Sequence, residues 1–273
     1  MIPAAFDYVR AGSADEALAA LTEHGDEAKL LAGGMSLLPL MKLRLATPTV
    51  LVDVGRVPDL AHVTDAGDHI AIGALTRHRE LETSELLARE CGVLRAVAAE
   101  VGDNQVRHRG TIGGSTAHGD PASDLPAVLL ALEATLVARG PGGERTIAAS
   151  DFFQGFLETA LAPDELLVEI RVPKTGAAGF SYQKFNRRAQ DWAVVGALAV
   201  CNGTTRVALV NMGTTPLRAR GVEDALSSGA SAADAAAHAA EGTEPPSDLN
   251  AGPEYREHLA RVLVRRALEA AGA

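Results

Sequence analysis

The residues most suited to binding or chemistry lie in two short segments, each with a glycine pair and a serine. Gly33-Gly34-Met35-Ser36 lies between an apolar stretch and a helix start, and Gly113-Gly114-Ser115 repeats the pattern. Glycine permits positive φ angles and close approach of a ligand to the backbone, and a helix N-terminus offers unpaired N–H groups. Together these features favour phosphate binding. Two such segments would suit a ligand with two phosphates.

A tight turn is the alternative interpretation, because a Gly-Gly-x-Ser segment between a strand and a helix often has no ligand. Neither segment has the G-x-G-x-x-G spacing of dinucleotide-binding folds, and the G-x-x-x-x-G-K-[ST] phosphate loop does not occur in the chain. The usual NAD and ATP fingerprints are therefore absent.

A second group of polar residues, His118, Asp120 and Asp124, lies within seven positions of the chain. This spacing could suit a divalent metal, but an Asp before Pro121 often nucleates a turn, and no second ligand cluster occurs. We therefore expect no metal site. No Ser-His-Asp or Cys-His arrangement is supported either, so we expect a cofactor to supply the chemistry.

The segment from Tyr182 to Arg188 mixes aromatic residues with three cations. A nucleic-acid patch and a solvated strand edge are the competing interpretations. The formal net charge of −10 argues against nucleic acid as a partner. Trp192, the single tryptophan, is interpreted equally well as a core anchor or as a residue lining a cleft.

Composition limits the class of protein. The chain has 273 residues, 47% of them hydrophobic, and no apolar run of membrane-spanning length. The N-terminus has no basic segment followed by a long apolar one, so we expect a cytoplasmic protein. Two cysteines, Cys91 and Cys201, are too few for an iron–sulfur cluster, which would have to lie on another polypeptide.

The patterns of apolar residues predict three units. A strand, helix, strand order predicts a small α/β subdomain over residues 1–55, with Ser13 capping a helix at 14–24. A second subdomain spans 56–173, and strands followed by helices predict a separate α+β domain at 174–273. Strands are predicted at residues 6–9, 29–32, 49–54, 69–74, 135–138, 145–147, 166–172, 180–186, 193–202 and 205–211. Further helices are predicted at 77–100 with a break at 91–92, and at 125–132, 222–226, 231–239 and 253–270.

The runs LLAGGMSLLPLMKLR and TIGGSTAHGDPASDLPA, followed by KFNRRAQDWAVVGALA and LVNMGTTPLRA, resemble one known family. They are similar to the FAD-binding (medium) subunit of the carbon monoxide dehydrogenase and xanthine dehydrogenase family of molybdenum hydroxylases. The resemblance covers nearly the whole chain. It implies an α+β fold: an FAD-binding domain of the vanillyl-alcohol-oxidase/PCMH type, made of two α/β subdomains, and a C-terminal domain with helices and an antiparallel sheet of three or more strands.

The resemblance also implies which residues bind FAD. Asp124 is expected at the adenosine portion. Asp120 is expected to shape the loop, and His118 is expected to do one of these two jobs. Lys184 is expected at the flavin ring, where a cation would stabilise the negative charge that develops on reduction, and Leu167 is expected to pack on the ring. The full expected set is Leu31, Ala32, Gly33, Gly34, Met35, Ser36, Leu37, Thr111, Ile112, Gly113, Gly114, Ser115, His118, Asp120, Asp124, Leu167 and Lys184.

The function implied by the resemblance is electron transfer within a molybdenum hydroxylase complex. The FAD of this subunit would accept electrons from iron–sulfur clusters of a small subunit, which are fed by a molybdopterin large subunit, and pass them to quinone, oxygen or NAD. A stand-alone FAD-dependent oxidase or reductase of the same fold is one alternative. A non-catalytic binding protein that has lost FAD is the other.

Overall fold

The first layer of the fold is a three-stranded parallel sheet that ends at the first glycine pair. In a computed structural model that describes residues 1–273, strand order is β1 (Asp7–Arg10), β3 (Val50–Asp53), β2 (Ala28–Leu31). Helix α1 (Ala14–His24) connects β1 to β2, and the Ser13 hydroxyl caps it by accepting the Glu16 N–H at 3.1 Å. Helix α2 (Leu37–Lys42) follows the glycine pair. The predicted α/β subdomain is thus present, with β3 buried as a central parallel strand should be.

The second layer is a five-stranded sheet whose neighbouring strands are all antiparallel. Its order is β4 (Val63–Asp65), β5 (His69–Gly73), β10 (Leu166–Pro173), β6 (Thr135–Gly140) and β7 (Gly143–Ala148). Six helices lie between β5 and β6: α3 (His78–Thr83), α4 (Glu85–Glu90), α5 (Gly92–Ala99), α6 (Asn104–Arg109), α7 (Ile112–His118) and α8 (Asp124–Ala131). Short helix α9 (Ala149–Phe152) and the hairpin β8 (Phe153–Gly155) with β9 (Glu158–Thr159) complete this part.

The C-terminal part is an antiparallel sheet covered by helices. Its strands run in the order β11 (Gly179–Phe185), β12 (Val195–Asn202), β13 (Thr204–Val210), β14 (Leu217–Arg218). Helices α10 (Arg220–Ser227), α11 (Ala232–Ala236) and α12 (Pro253–Ala271) follow. Residues of β12 are buried on both faces because α12 packs with one face and the helices of the preceding domain cover the other. The α+β fold expected from the sequence is confirmed.

The cores of these parts are continuous across the predicted boundaries. One apolar cluster joins α5, α7 and α8 to Leu198 and Val210 of the C-terminal sheet. Another joins α1 and β3 to Val137 and Val168 of the five-stranded sheet. The predicted units at 1–55, 56–173 and 174–273 therefore share apolar contacts, and this division remains a prediction. None of the helices is both long and apolar enough to cross a membrane.

Several local features differ from the sequence prediction, and among them β4, α6, α9 and β14 were not predicted. The second glycine segment is not a loop before a helix, because Gly113 and Gly114 lie inside α7, which Thr111 caps. Glycine has poor helix propensity, but a Cβ at Gly113 would lie 2.4 Å from the Ala74 Cβ, so packing requires glycine there. The β8–β9 hairpin was not predicted, because its strands are only three and two residues long.

Candidate functional site

A single large cavity collects most of the expected site residues. Its volume is about 710 Å³, within the range of roughly 300–1,000 Å³ typical of ligand and cofactor sites. The walls come from the end of β2 and the start of α2, from α7, from the β8–β9 hairpin, from β10 and from β11. The C-terminal sheet thus contributes directly to a site formed mainly by the preceding domain.

The first glycine segment presents a run of free backbone donors to this cavity. The N–H groups of residues 33–37 have no hydrogen-bond acceptor within the protein, although all five residues line the cavity. Gly34 has a φ of 75°, which turns the chain from β2 into α2. Consecutive unpaired N–H groups at a turn and a helix start form a concave anion site. This geometry fits a phosphate group of FAD.

The two glycine segments touch at Gly33. A Cβ added at this position would lie 2.1 Å from the Arg109 carbonyl oxygen and 2.8 Å from the Gly110 Cα. Gly110 immediately precedes the Thr111 cap of α7. Glycine at position 33 is therefore required for the contact between the segments, whether or not a ligand is bound.

The second glycine segment offers different groups to a ligand. The N–H groups of Ile112 and Gly113 donate to the carbonyls of Thr76 (3.0 Å) and Ala74 (2.8 Å), and that of Gly114 donates to the Thr111 hydroxyl at 3.1 Å. Since these donors are already paired, α7 does not provide a second amide cradle like the first. Ser115 lines the cavity, and its hydroxyl makes no hydrogen bond within the protein. The expectation of two equivalent phosphate cradles is thus corrected to one amide cradle beside a hydroxyl-bearing helix.

Asp124 and Lys184 form a buried ion pair on the cavity wall. Lys184 Nζ lies 2.9 Å from Asp124 Oδ2 and donates at the same distance to the Glu100 carbonyl. The Tyr182 hydroxyl donates to Asp124 Oδ1 at 2.5 Å. The side chains of Lys184 and Asp124 are only 5% and 6% exposed. Adenosine and the flavin ring lie at opposite ends of FAD. Because the side chains of Asp124 and Lys184 touch, one cannot contact the adenosine while the other contacts the ring.

The pKa values of this group follow from burial. Burial raises the pKa of the Asp124 carboxyl, while the Lys184 ammonium and the Tyr182 hydroxyl oppose the rise. Burial, followed by the Asp124 charge, raises the pKa of Tyr182, so its hydroxyl stays protonated as a donor. Because the lysine charge is balanced by a carboxylate, its effect on the flavin ring is that of an ion pair.

Two histidines line the same cavity. His78 is 3% exposed and packs against Gly110, and burial lowers its pKa to about 4. Its Nδ1 atom is buried without a hydrogen-bond partner. Burial also lowers the pKa of His118 at the end of α7, although the Asp120 charge opposes this. Both imidazoles are therefore expected to be neutral at pH 7.

The segment between β11 and β12, residues 186–194, forms part of the cavity wall. Gln190, Asp191 and Trp192 line the cavity, and Trp192 is 54% exposed. The core-anchor interpretation of Trp192 is therefore wrong, and the cleft interpretation fits the structure. Asp191 Oδ2 is buried, and Arg187 Nε lies 3.8 Å from it, too far for a hydrogen bond.

Most of the residues expected to bind FAD line this one cavity. The lining members are Ala32, Gly33, Gly34, Met35, Ser36, Leu37, Thr111, Gly113, Gly114, Ser115, His118, Asp124, Leu167 and Lys184. Three expected residues do not line it. Ile112 is fully buried in the core, Leu31 ends β2 below the glycine pair, and Asp120 Oδ1 accepts the Ala122 N–H at 2.8 Å. Asp120 thus shapes the turn, and a role for these three residues in binding FAD remains a prediction.

Several lining residues were missed by sequence analysis. They include His78, Gly110, Gln190, Asp191 and the hairpin residues Leu157 to Thr159. His78 lies in a run of polar residues that follows Arg77, so nothing in the neighbouring sequence indicates that its side chain is buried. Leu157 has a φ of 58°, a conformation that apolar residues rarely adopt and that sequence does not reveal. Across the whole structure, no group of three or more His, Cys, Asp or Glu side chains is arranged to hold a metal.

Two family models together match nearly the entire chain. The model described as the FAD binding domain in molybdopterin dehydrogenase matches residues 4–175. The model described as the CO dehydrogenase flavoprotein C-terminal domain matches residues 180–271. The amide cradle of residues 33–37 and the cavity lie mainly in the first of these regions.

Several known proteins are similar to this chain over nearly all of their length. The carbon monoxide dehydrogenase medium chain of Hydrogenophaga pseudoflava is 42% identical, with 100% of this chain and 99% of that protein covered. The 6-hydroxypseudooxynicotine dehydrogenase complex subunit alpha of Paenarthrobacter nicotinovorans is 40% identical over 98% and 95% of the two chains. A solved carbon monoxide dehydrogenase structure from Hydrogenophaga pseudoflava superposes with a TM-score of 0.96 at 43% identity, covering 100% and 99%. Quinoline 2-oxidoreductase from Pseudomonas putida 86 gives 0.92 at 33% identity, covering 100% and 99%.

Proposed function

The chain belongs to the family of FAD-binding medium subunits of molybdenum hydroxylases, and we propose that it carries electrons between a partner's iron–sulfur clusters and an external acceptor. FAD is therefore the cofactor and the chain is an oxidoreductase subunit, as the sequence predicts. The finer proposal concerns direction and partners: electrons enter from a small iron–sulfur subunit that is fed by a molybdopterin large subunit. Quinone, oxygen and NAD remain the candidate acceptors.

The observation that carries the proposal is the run of free N–H groups at residues 33–37 beside a cavity large enough for a dinucleotide. Among Lys and Arg side chains, only those of Lys29 and Lys184 line the cavity, and Lys184 is paired with Asp124. Backbone amides, more than cations, are thus the groups available to neutralise a pyrophosphate. FAD, once bound, supplies the electron-transfer chemistry.

The chain's own residues have distinct proposed roles at FAD. The amides of residues 33–37 hold the pyrophosphate, and the hydroxyl of Ser115 on α7 donates to the same half of the molecule. The Asp124–Lys184 pair fixes the wall between the two domains, and Leu167 provides an apolar surface for the ring. Trp192 and its neighbours form part of the cavity wall. The units 1–55, 56–173 and 174–273 are proposed to enclose the cofactor in this way.

The source of electrons is the point to test. The FAD-loaded chain would be mixed without oxygen with the pre-reduced iron–sulfur subunit of its complex, and the loss of visible flavin absorption followed by rapid mixing. We expect reduction by that partner, and no turnover of organic donors by the isolated chain. The matched control omits the reduced partner. If the isolated chain oxidised a donor by itself, or if the reduced partner left the flavin oxidised, the electron-transfer proposal would be wrong.

A further inference from the structure

The most deeply buried charged side chain of the protein is Arg256, near the start of α12. It is 0% exposed. Its Nη1 donates to the Val194 carbonyl, and its Nη2 lies 2.8 Å from Asp248 Oδ2. Its Nε has no hydrogen-bond partner, and Nη2 meets Asp248 as an ion pair without hydrogen-bond geometry. Burying a guanidinium is costly, and breaking a buried ion pair costs more still because it leaves the remaining charge uncompensated.

The atom that Arg256 binds lies at the end of the segment 186–194, which carries Trp192. The Val194 N–H donates to the Phe185 carbonyl at 2.7 Å and closes the base of this segment. Asn211 Nδ2 donates to the carbonyls of Ala193 and Val194, at 2.8 and 3.3 Å. The Val194 carbonyl therefore receives donors from two sides, and the guanidinium is the charged one.

The same turn of α12 also contacts the other end of the segment. The Tyr255 ring packs edge-on against Phe185, with ring centres 6.4 Å apart. Phe185 ends β11 just before residue 186, and Val194 immediately precedes β12. Adjacent residues of α12 thus brace both ends of the segment that lines the cavity, although neither residue lines the cavity itself.

Asp248 holds Arg256 from the opposite side. Its Oδ1 accepts the N–H groups of Asn250 at 2.7 Å and Ala251 at 3.1 Å. Burial acts to raise the pKa of Asp248, but these two N–H groups and the Arg256 guanidinium together lower it. The carboxylate is therefore fixed and charged at pH 7, and it directs the guanidinium toward Val194.

We propose that Arg256, oriented by Asp248, is a positioning residue that holds segment 186–194 so that Gln190, Asp191 and Trp192 stay against the cofactor cavity. It acts through the Val194 carbonyl and touches neither FAD nor the cavity. The functional meaning of this inference rests on the proposed placement of FAD, but the positioning itself does not. Measurements on the FAD-free chain therefore test it separately.

Trp192 is the only tryptophan, so the intrinsic tryptophan fluorescence of the full chain reports on this segment alone. The test is acrylamide quenching of the FAD-free chain, wild type against Arg256→Met. Because Trp192 is already 54% exposed, release of the segment can raise the quenching constant by up to about twofold. The matched control is Arg261→Met on the same helix, whose 44% exposed side chain pairs only with Glu257. The control is expected to leave quenching unchanged.

An unchanged quenching constant in a folded Arg256→Met chain would overturn the proposal. Should that variant fail to fold, Asp248→Asn decides, because it leaves the Arg256 side chain in place and removes only the charge that orients it. We expect Asp248→Asn to increase quenching by a smaller factor and to lower the melting temperature, because the buried guanidinium loses its counter-charge. No increase in quenching of the folded variant would refute the positioning role. FAD titration of the same variants tests the placement of FAD in the cavity. A chain that fails to bind FAD but shows the quenching change would support the positioning of segment 186–194 and contradict the placement of FAD.

Discussion

Lys184 of the C-terminal sheet and Asp124 at the start of α8 meet at 2.9 Å, across a sequence separation of 60 residues, and join the two domains at the cavity wall. Both side chains are almost completely buried, and Tyr182 completes the hydrogen bonding of the carboxylate. Such a pair is costly to break because the remaining charge stays buried.

We predict that Lys184→Met is destabilised by about 3–5 kcal/mol, because the Asp124 carboxylate loses its counter-charge in a buried site. Chemical denaturation at pH 7 measures this. The double variant Lys184→Met/Asp124→Asn is expected to recover most of the loss, since Asn can still accept from Tyr182. The control Lys174→Met removes the partner of the half-exposed Asp65 and should change little.

The same variant has a predicted pH dependence. Without Lys184, burial of Asp124 is opposed only by the Tyr182 hydroxyl, so the pKa of Asp124 rises further and the folded chain takes up a proton there. An acid whose folded pKa is raised contributes stability at low pH that is lost as pH rises through that pKa. The stability deficit of Lys184→Met should therefore shrink as pH is lowered from 7 toward the acid range. A deficit independent of pH would contradict this.

This pairing also changes the expectation for the flavin potential. Sequence analysis treats Lys184 as a lone cation that stabilises the reduced flavin. If Asp124 is protonated when Lys184 is removed, the net charge at the two positions stays zero. Only the dipole of the ion pair is lost. We therefore expect Lys184→Met to shift the reduction potential of bound FAD less at a pH where Asp124 is protonated than at a higher pH where Asp124 is ionised.

His78 gives a second prediction about pH. Its folded pKa is about 4 because the imidazole is buried, against an ordinary value near 6.5. As pH falls below 6.5 the unfolded chain binds a proton at this residue and the folded chain does not, so stability is lost. Down to the folded pKa, the loss amounts to about 3 kcal/mol.

The measurement compares the free energy of unfolding of His78→Gln and wild type between pH 7 and 4. The variant should lose less stability on acidification, while His258→Gln, at an exposed position of α12, should follow wild type. Parallel profiles for His78→Gln and wild type would show that the imidazole titrates normally in the folded protein.

Gly33 provides a test of the contact between the glycine segments. A Cβ would lie 2.1 Å from the Arg109 carbonyl oxygen, so Gly33→Ala must push the segments apart, at a cost of about 1–3 kcal/mol. We expect a lower melting temperature and loss of FAD on gel filtration. Gly142→Ala is the matched control, because nothing lies within 4 Å of its Cβ position. Native stability with full FAD content in Gly33→Ala would contradict the geometry.

Local chemistry made part of this site predictable. Ser13 before α1, the glycine pair after β2 and the apolar run of β3 each have a local physical cause, so the sequence indicates their structure directly. The glycines of α7 were predicted as a second glycine loop because they repeat the pattern of the first pair, but they lie inside a helix, where the close packing of Gly113 on Ala74 requires glycine.

Long-range contacts were not predictable from one sequence. Nothing near Lys184 indicates that its partner is Asp124, and nothing near Gly33 indicates that it packs on Gly110. Trp192 had no periodic neighbours from which to infer exposure, and Arg256 lies on a helix whose other arginines reach solvent. Each of these positions is determined by tertiary packing, which local sequence preferences do not indicate.

The central claim is that one FAD occupies the cavity between the first glycine segment and Trp192. Its most direct test is an FAD titration of the FAD-free full chain, followed by the fluorescence of Trp192. The account predicts quenching that saturates at one FAD per chain and is weakened by Gly33→Ala but not by Gly142→Ala. FAD that remains bound through gel filtration while Trp192 fluorescence stays unchanged would place the cofactor elsewhere and contradict the account.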